Sequence, residues 1–155
     1  MPRPSNLPPV NQNKLTQLVG GTYTNALRLA TSAGKYLGYT SFQATDIPVN
    51  AIWVLRQGSF RQSRGYWIFR PGMDRCWQAV NSNGPLTYWN ADGTAKRVPQ
   101  AWELFLFEIV DASAGGIRIR NVHDWPLGGS VVLGSDGFRC DASPQNATTL
   151  YVEFL

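Results

Sequence analysis

Ile52-Trp53-Val54-Leu55, Trp102-Glu103-Leu104-Phe105 and Leu150-Tyr151-Val152-Glu153-Phe154 are three short apolar runs whose leading aromatics, Trp53, Trp102 and Tyr151, stand 49 residues apart. Recurrence over roughly 20–50 residues marks a repeat architecture. Other positions repeat too. Three β-like runs precede each aromatic in the same order: 26–29, 35–39 and 42–44 before 52–55; 66–69, 75–80 and 86–89 before 102–108; 116–120, 130–133 and 137–140 before 150–154. Each run is rich in aromatic or β-branched residues and is bounded by Gly, Pro, Asn or Asp, which is how strands read in sequence. The chain is therefore expected to be all-β, with twelve strands in three units, and Trp53, Trp102 and Tyr151 are expected in the core.

Bulk composition fits that reading. The 155 residues suit one domain with a substantial core. Fifteen glycines and ten prolines leave little room for helices of ordinary length. Only 15% of residues are charged, so the surface leans on neutral polar side chains, which suit uncharged polar ligands better than electrostatic steering. A net charge of +4 does not by itself identify a nucleic-acid partner. Cys76 and Cys140 fall in different units and supply neither a disulfide framework nor a metal spacing, so both are read as buried thiols. With no charged-then-apolar leader and no long apolar run, a soluble cytoplasmic protein with no membrane role is expected, or one released by an unconventional route. Asn146-Ala147-Thr148 is a formal glycosylation acceptor that such a location leaves unused.

Residues 1–22 stand apart. Met1-Pro2-Arg3-Pro4-Ser5-Asn6-Leu7-Pro8-Pro9 reads as an extended N-terminal arm, and residues 13–19 offer one helical turn before Gly20-Gly21. A strap that joins two copies into a homodimer is its second reading. From Tyr23 to Leu155 the units cover 23–59, 65–111 and 116–155 as one domain.

Three units of four strands resemble the β-trefoil, and Gly34-Lys35-Tyr36-Leu37-Gly38-Tyr39, followed by the fourth-strand aromatic, is most similar to fascin-like and amaranthin-like (agglutinin) trefoils. The ricin-type Gln-x-Trp is absent: Ala51-Ile52 and Gln100-Ala101 precede the tryptophans. The resemblance implies a non-catalytic binding protein. Trefoils include lectins, cytokines, protease inhibitors and actin-bundling modules, and the fold alone does not choose among them.

The catalytic inventory is thin. His123 is the sole histidine, and no nucleophile elbow, phosphate-cradling loop or zinc-helix motif is present. No cofactor and no metal are expected. Binding features are richer. In Tyr88-Trp89-Asn90-Ala91-Asp92-Gly93 the adjacent rings of Tyr88 and Trp89 face opposite sides of a strand. One ring can enter the core while the other, beside Asn90 and Asp92, covers a pyranose whose hydroxyls the amide and carboxylate hold. The competing reading is a hairpin turn chosen for backbone geometry. Asn121, His123, Asp124 and Trp125, ahead of Pro126 and the glycines at 128 and 129, form a second candidate, or else a plug at the barrel base. Arg56, Arg61, Arg64 and Arg70 lie in a stretch with aromatics and no acid, which suits anionic glycans through guanidinium forks, or is a solvated loop. The functional expectation is a lectin recognising glycans or glycoproteins. A protein-binding trefoil, either a protease inhibitor or a fascin-like cytoskeletal module, is the alternative.

Overall fold

Short β-prone runs punctuated by turn residues fold as antiparallel strands in the computed structural model, which describes residues 2–79, 84–90, 101–122, 129–134, 137–141 and 143–155. In chain order the described elements are α1 (Gln12–Val19), β1 (Ala26–Ala30), β2 (Tyr36–Leu37), β3 (Ala44–Thr45), β4 (Trp53–Phe60), β5 (Ser63–Phe69), β6 (Arg75–Ala79), β7 (Gly84–Asn90), β8 (Phe105–Asp111), β9 (Gly116–Asn121), β10 (Ser130–Gly134), β11 (Gly137–Asp141) and β12 (Leu150–Phe154). The pairings β1–β4–β5–β8–β9–β12 return to β1 and so close a ring of strands. Hairpins β2–β3, β6–β7 and β10–β11 accompany it. No helix among the described residues is long and apolar enough to cross a membrane.

Alternate residues of the ring strands point inward, as the pleat requires. Leu27 and Leu29 of β1, Trp53 and Leu55 of β4, Tyr66 and Ile68 of β5, and Phe105 and Phe107 of β8 join one core cluster with Ile117 and Ile119 of β9 and Leu150 and Val152 of β12. Register explains the choice: Leu27 stands opposite Trp53, Tyr66 opposite Phe105, and Ile117 opposite Leu150. Trp53, Trp77 and Phe42 meet at the centre. The Trp53 and Trp77 rings are edge-on at 5.2 Å, and Phe42 stacks parallel on Trp53 at 5.9 Å. Trp53 Nε1 donates to the Leu37 carbonyl at 3.0 Å, whereas Trp77 Nε1 is buried without a partner among the described residues.

Trp53 and Tyr151 are buried as expected, but Trp102 is not. It is 39% exposed, in a 3-10 turn (Ala101–Glu103) ahead of β8. The inward position opposite Tyr66 is filled three residues later by Phe105. The arginine-rich stretch also differs from expectation. Instead of a loop after residue 55, β4 and β5 pair continuously from Val54↔Phe69 to Phe60↔Ser63, leaving Arg61 and Gln62 as the turn. Arg61 sits there at φ 56°, in the left-handed region.

The N-terminal segment is packed, not extended. Asn11 caps α1 by accepting from the Lys14 N–H at 3.1 Å. Leu15 and Leu18, one helical turn apart, enter the core. Ahead of the helix, Leu7 packs in a smaller cluster with Ala30, Tyr36, Ala51 and Tyr151. Arg3 donates to the carbonyls of Val152 (2.7 Å), Pro8 (2.9 Å) and Ala114 (3.0 Å). Burial holds its guanidinium below the ordinary value, with Glu153 pulling the other way.

Candidate functional site

Strand β7 separates its two adjacent aromatics as alternation requires. Tyr88 stands opposite Trp77 and faces the core, its ring 4.6 Å from that of Phe42. Its hydroxyl donates to the Tyr39 carbonyl at 2.7 Å, and burial pushes its pKa up to about 12. Trp89 faces the other side of the hairpin, opposite Cys76, and is half-buried. Asn90 ends the strand opposite Arg75. The Asn90 side chain, Asp92, His123, Asp124 and Trp125 lie outside the described residues.

Asn121 belongs to the framework. It is fully buried, and its amide Nδ2 donates to the carbonyls of Ala101 (2.9 Å), Trp102 (3.0 Å) and Leu104 (3.0 Å). No surface is left for a ligand. The turn it secures carries Glu103, another buried polar residue, whose carboxylate accepts from Gln78 Nε2 at 3.2 Å.

The four arginines take separate places. The Arg56 guanidinium lies over the Phe69 ring at 4.1 Å, Arg61 over Phe60 at 5.2 Å, and Arg70 over Tyr39 at 4.6 Å. Arg64 stands opposite Ser59 on the hairpin. Cys76 and Cys140 are buried thiols, and burial raises the pKa of Cys140 to about 12. Among the described residues no three His, Cys, Asp or Glu side chains gather as a metal site would require.

A pocket absent from the sequence reading lies beside Tyr88. It encloses about 170 Å³ and is lined by Gly38, Tyr39, Thr40, Gln43, Ala44, Thr45 and Asn50, with no charged residue. The loop between β2 and β3 builds it. Ser41 and Phe42 both adopt positive φ, at 52° and 51°, and the buried Phe42 ring anchors the bend. Gly38 N donates to the Gln43 carbonyl and Tyr39 N to the Asn50 carbonyl, both at 2.9 Å, which brings the ends of the segment together. A Cβ on Gly38 would come within 2.8 Å of Thr45 Cγ2, so glycine is needed at this close approach. Tyr39 is fixed on several sides: its hydroxyl accepts from Ile52 N at 3.1 Å, Arg70 covers its ring, and the Trp53 ring meets it edge-on at 5.2 Å. Thr40, Gln43 and Asn50 are exposed at the rim. They supply one hydroxyl and two amides, groups that both donate and accept. Such a lining can exchange hydrogen bonds with a small neutral polyol.

No family model and no curated protein matches the sequence. Solved structures share the fold. One, described as SeviL bound to asialo-GM1 saccharide, superposes with a TM-score of 0.59 at 14% identity, covering 83% of this chain and 96% of that one. Another, described as the BEL β-trefoil in an apo crystal form, gives 0.62 at 18% identity, covering 84% of this chain and 93% of that one. The chain has the β-trefoil fold.

Proposed function

We propose that this protein is a non-catalytic carbohydrate-binding protein, a lectin, that takes neutral sugars in the Tyr39 pocket. The carrying observation is the lining itself: a hydroxyl and two amides at the rim, no charge, and a fixed glycine floor. Sugar hydroxyls both donate and accept, and amide and hydroxyl side chains answer both needs. The structural neighbour described with a bound saccharide lends support from the fold alone. The Trp89 face, with Asn90 and Asp92 following it, is proposed as a second contact in which an indole covers the apolar face of a pyranose.

A neutral-glycan array with the intact protein, Asn50→Ala and Trp89→Ala tests this. Selective binding that Asn50→Ala weakens about tenfold or more supports the pocket, that being the scale of one or two lost hydrogen bonds. A blank array from folded protein sinks the reading. One observation favours the protein-binding alternative: the β4–β5 hairpin presents an exposed tip from Arg61 to Arg64. Inhibition of a protease, with indifference to sugars, would establish that instead.

A further inference from the structure

A second cleft of about 300 Å³ opens between the end of α1 and the β4–β5 hairpin, where Gly20 and Gly21 face Gly58, Ser59, Arg64 and Trp67. Its chemistry differs from that of the Tyr39 pocket. Arg64 is the only charged residue in the lining. It forms no ion pair among the described residues. Cross-strand pairing sets it directly opposite Ser59, so a guanidinium and a hydroxyl are offered side by side.

Several acceptors nearby are already engaged. Gln57 Nε2 donates to the Gly21 carbonyl at 2.7 Å. The Gln17 carbonyl receives the N–H groups of Thr22 and Tyr23, and those of Thr16 and Leu18 receive Gly20 and Gly21. Three carbonyls at the helix end are therefore satisfied from within the chain. Trp67 Nε1, in the wall, is a buried donor with no partner among the described residues. No Asp or Glu occurs between Asp46 and Asp74, the stretch that holds Arg56, Arg61, Arg64 and Arg70.

The shape is built in. A Cβ on Gly58 would come within 2.7 Å of the Trp67 ring, and one on Gly65 within 2.5 Å of the Phe105 carbonyl. Gly58 must stay bare for the indole to pack against it, and Gly65 for β5 to approach β8.

We infer that this cleft binds a sulfated saccharide, with Arg64 and Ser59 holding the sulfate and Trp67 flanking the sugar. The inference rests on the carbohydrate reading but uses a different site and a different ligand charge. The protein would thus take neutral sugar at the Tyr39 pocket and acidic sugar at the hairpin.

Calorimetric titration with a disaccharide, its monosulfate ester and inorganic sulfate, at two salt concentrations, tests it. The expected result is that the ester binds about tenfold tighter than the parent, the scale of one charge-assisted contact, with the gain shrinking as salt rises. Arg64→Gln and Ser59→Ala should each reduce that gain while the neutral disaccharide keeps its affinity. Equal affinity for ester and parent, or a gain that survives both substitutions, overturns the inference and leaves the neutral pocket standing. Inorganic sulfate binding as tightly as the ester overturns it as well, since the sugar would then contribute nothing. If the ester binds through Arg64 but no neutral sugar binds at all, the Tyr39 reading fails and the cleft stands.

Discussion

Asn121 Nδ2 lies 2.9 Å from the Ala101 carbonyl oxygen, deep in the fold, so the last residue of β9 fastens the turn that leads into β8. That turn positions Phe105 opposite Tyr66, one of the contacts that closes the ring. Replacing Asn121 with Ala removes this donor from three carbonyls, although Ala101 keeps the Leu104 N–H at 3.2 Å and Leu104 keeps the Val122 N–H at 2.9 Å. The expected loss is roughly 1–3 kcal/mol, the cost of removing a buried hydrogen-bonding group. Urea denaturation reads it directly. Sugar binding by the folded fraction should not change; a variant with native stability and no sugar binding would show that Asn121 touches ligand.

The N-terminal segment should behave as part of the domain. Leu15 is 1% exposed and belongs to the main core cluster. Leu15→Ala should cost roughly 2–5 kcal/mol, as deletion of a buried leucine side chain does. Thermal melting checks this. A change below about 0.5 kcal/mol, the size of an ordinary surface substitution, would mean that α1 is a dispensable strap.

The strand pattern could be read in advance because alternation and turn residues are local. Trp53 falls inside for that reason, whereas Tyr151 lies on the face of β12 opposite Leu150 and Val152 and is buried under Leu7 of the N-terminal segment. Trp102 escaped because equal spacing counts residues, while burial follows register, and pairing with β5 selects Phe105. Only the outer half of the β4–β5 hairpin, Gln57 to Arg64, reads as a loop in sequence, because it has little apolar alternation. Strand pairing there needs only backbone hydrogen bonds. The Tyr39 pocket was illegible for a third reason. Thr40, Gln43 and Asn50 meet only because Ser41 and Phe42 adopt a left-handed bend that sequence rules reserve for Gly, Asn or Asp.

Alkaline pH should unfold the protein gradually. Burial raises Tyr66 and Tyr88 from 10.0 to about 12, and Cys140 from 9.0 to about 12. The fold thus favours the protonated forms. Their contribution is fully present below the unfolded-chain values and is lost as pH climbs toward 12, because the unfolded chain releases these protons first. The urea midpoint should hold steady up to about pH 9 and fall from there. Cys140→Ala should soften the early part of the fall, whereas an unchanged profile would assign the alkaline loss to other groups. Thiol reagents should label Cys140 only on unfolding.

Gly65 supports the hairpin by having no side chain. A Cβ at that position would sit 2.5 Å from the Phe105 carbonyl oxygen and 3.2 Å from Leu104 Cγ. The backbone oxygen cannot swing away as a side chain could. Gly65→Ala should therefore cost roughly 1–3 kcal/mol, the range for overpacking. Chemical denaturation measures it, and a neutral or stabilising result would mean that β5 shifts freely against β8.

Tyr88 links the core to the Tyr39 pocket. Its hydroxyl supports the Tyr39 carbonyl at 2.7 Å, and the neighbouring Tyr39 N–H reaches the Asn50 carbonyl at the far rim. Tyr88→Phe keeps the ring against Phe42 and removes only the donor. Stability should fall by about 1 kcal/mol, the net value of one such bond. If the pocket holds sugar, loosening this wall should also raise the Kd for a neutral sugar about two- to fivefold, since 1.4 kcal/mol corresponds to tenfold. Calorimetry on Tyr88→Phe beside Asn50→Ala separates the effects: the first should move both stability and affinity, the second affinity alone. Affinity untouched by either substitution would place the sugar elsewhere, and the Trp89 face would become the site to test.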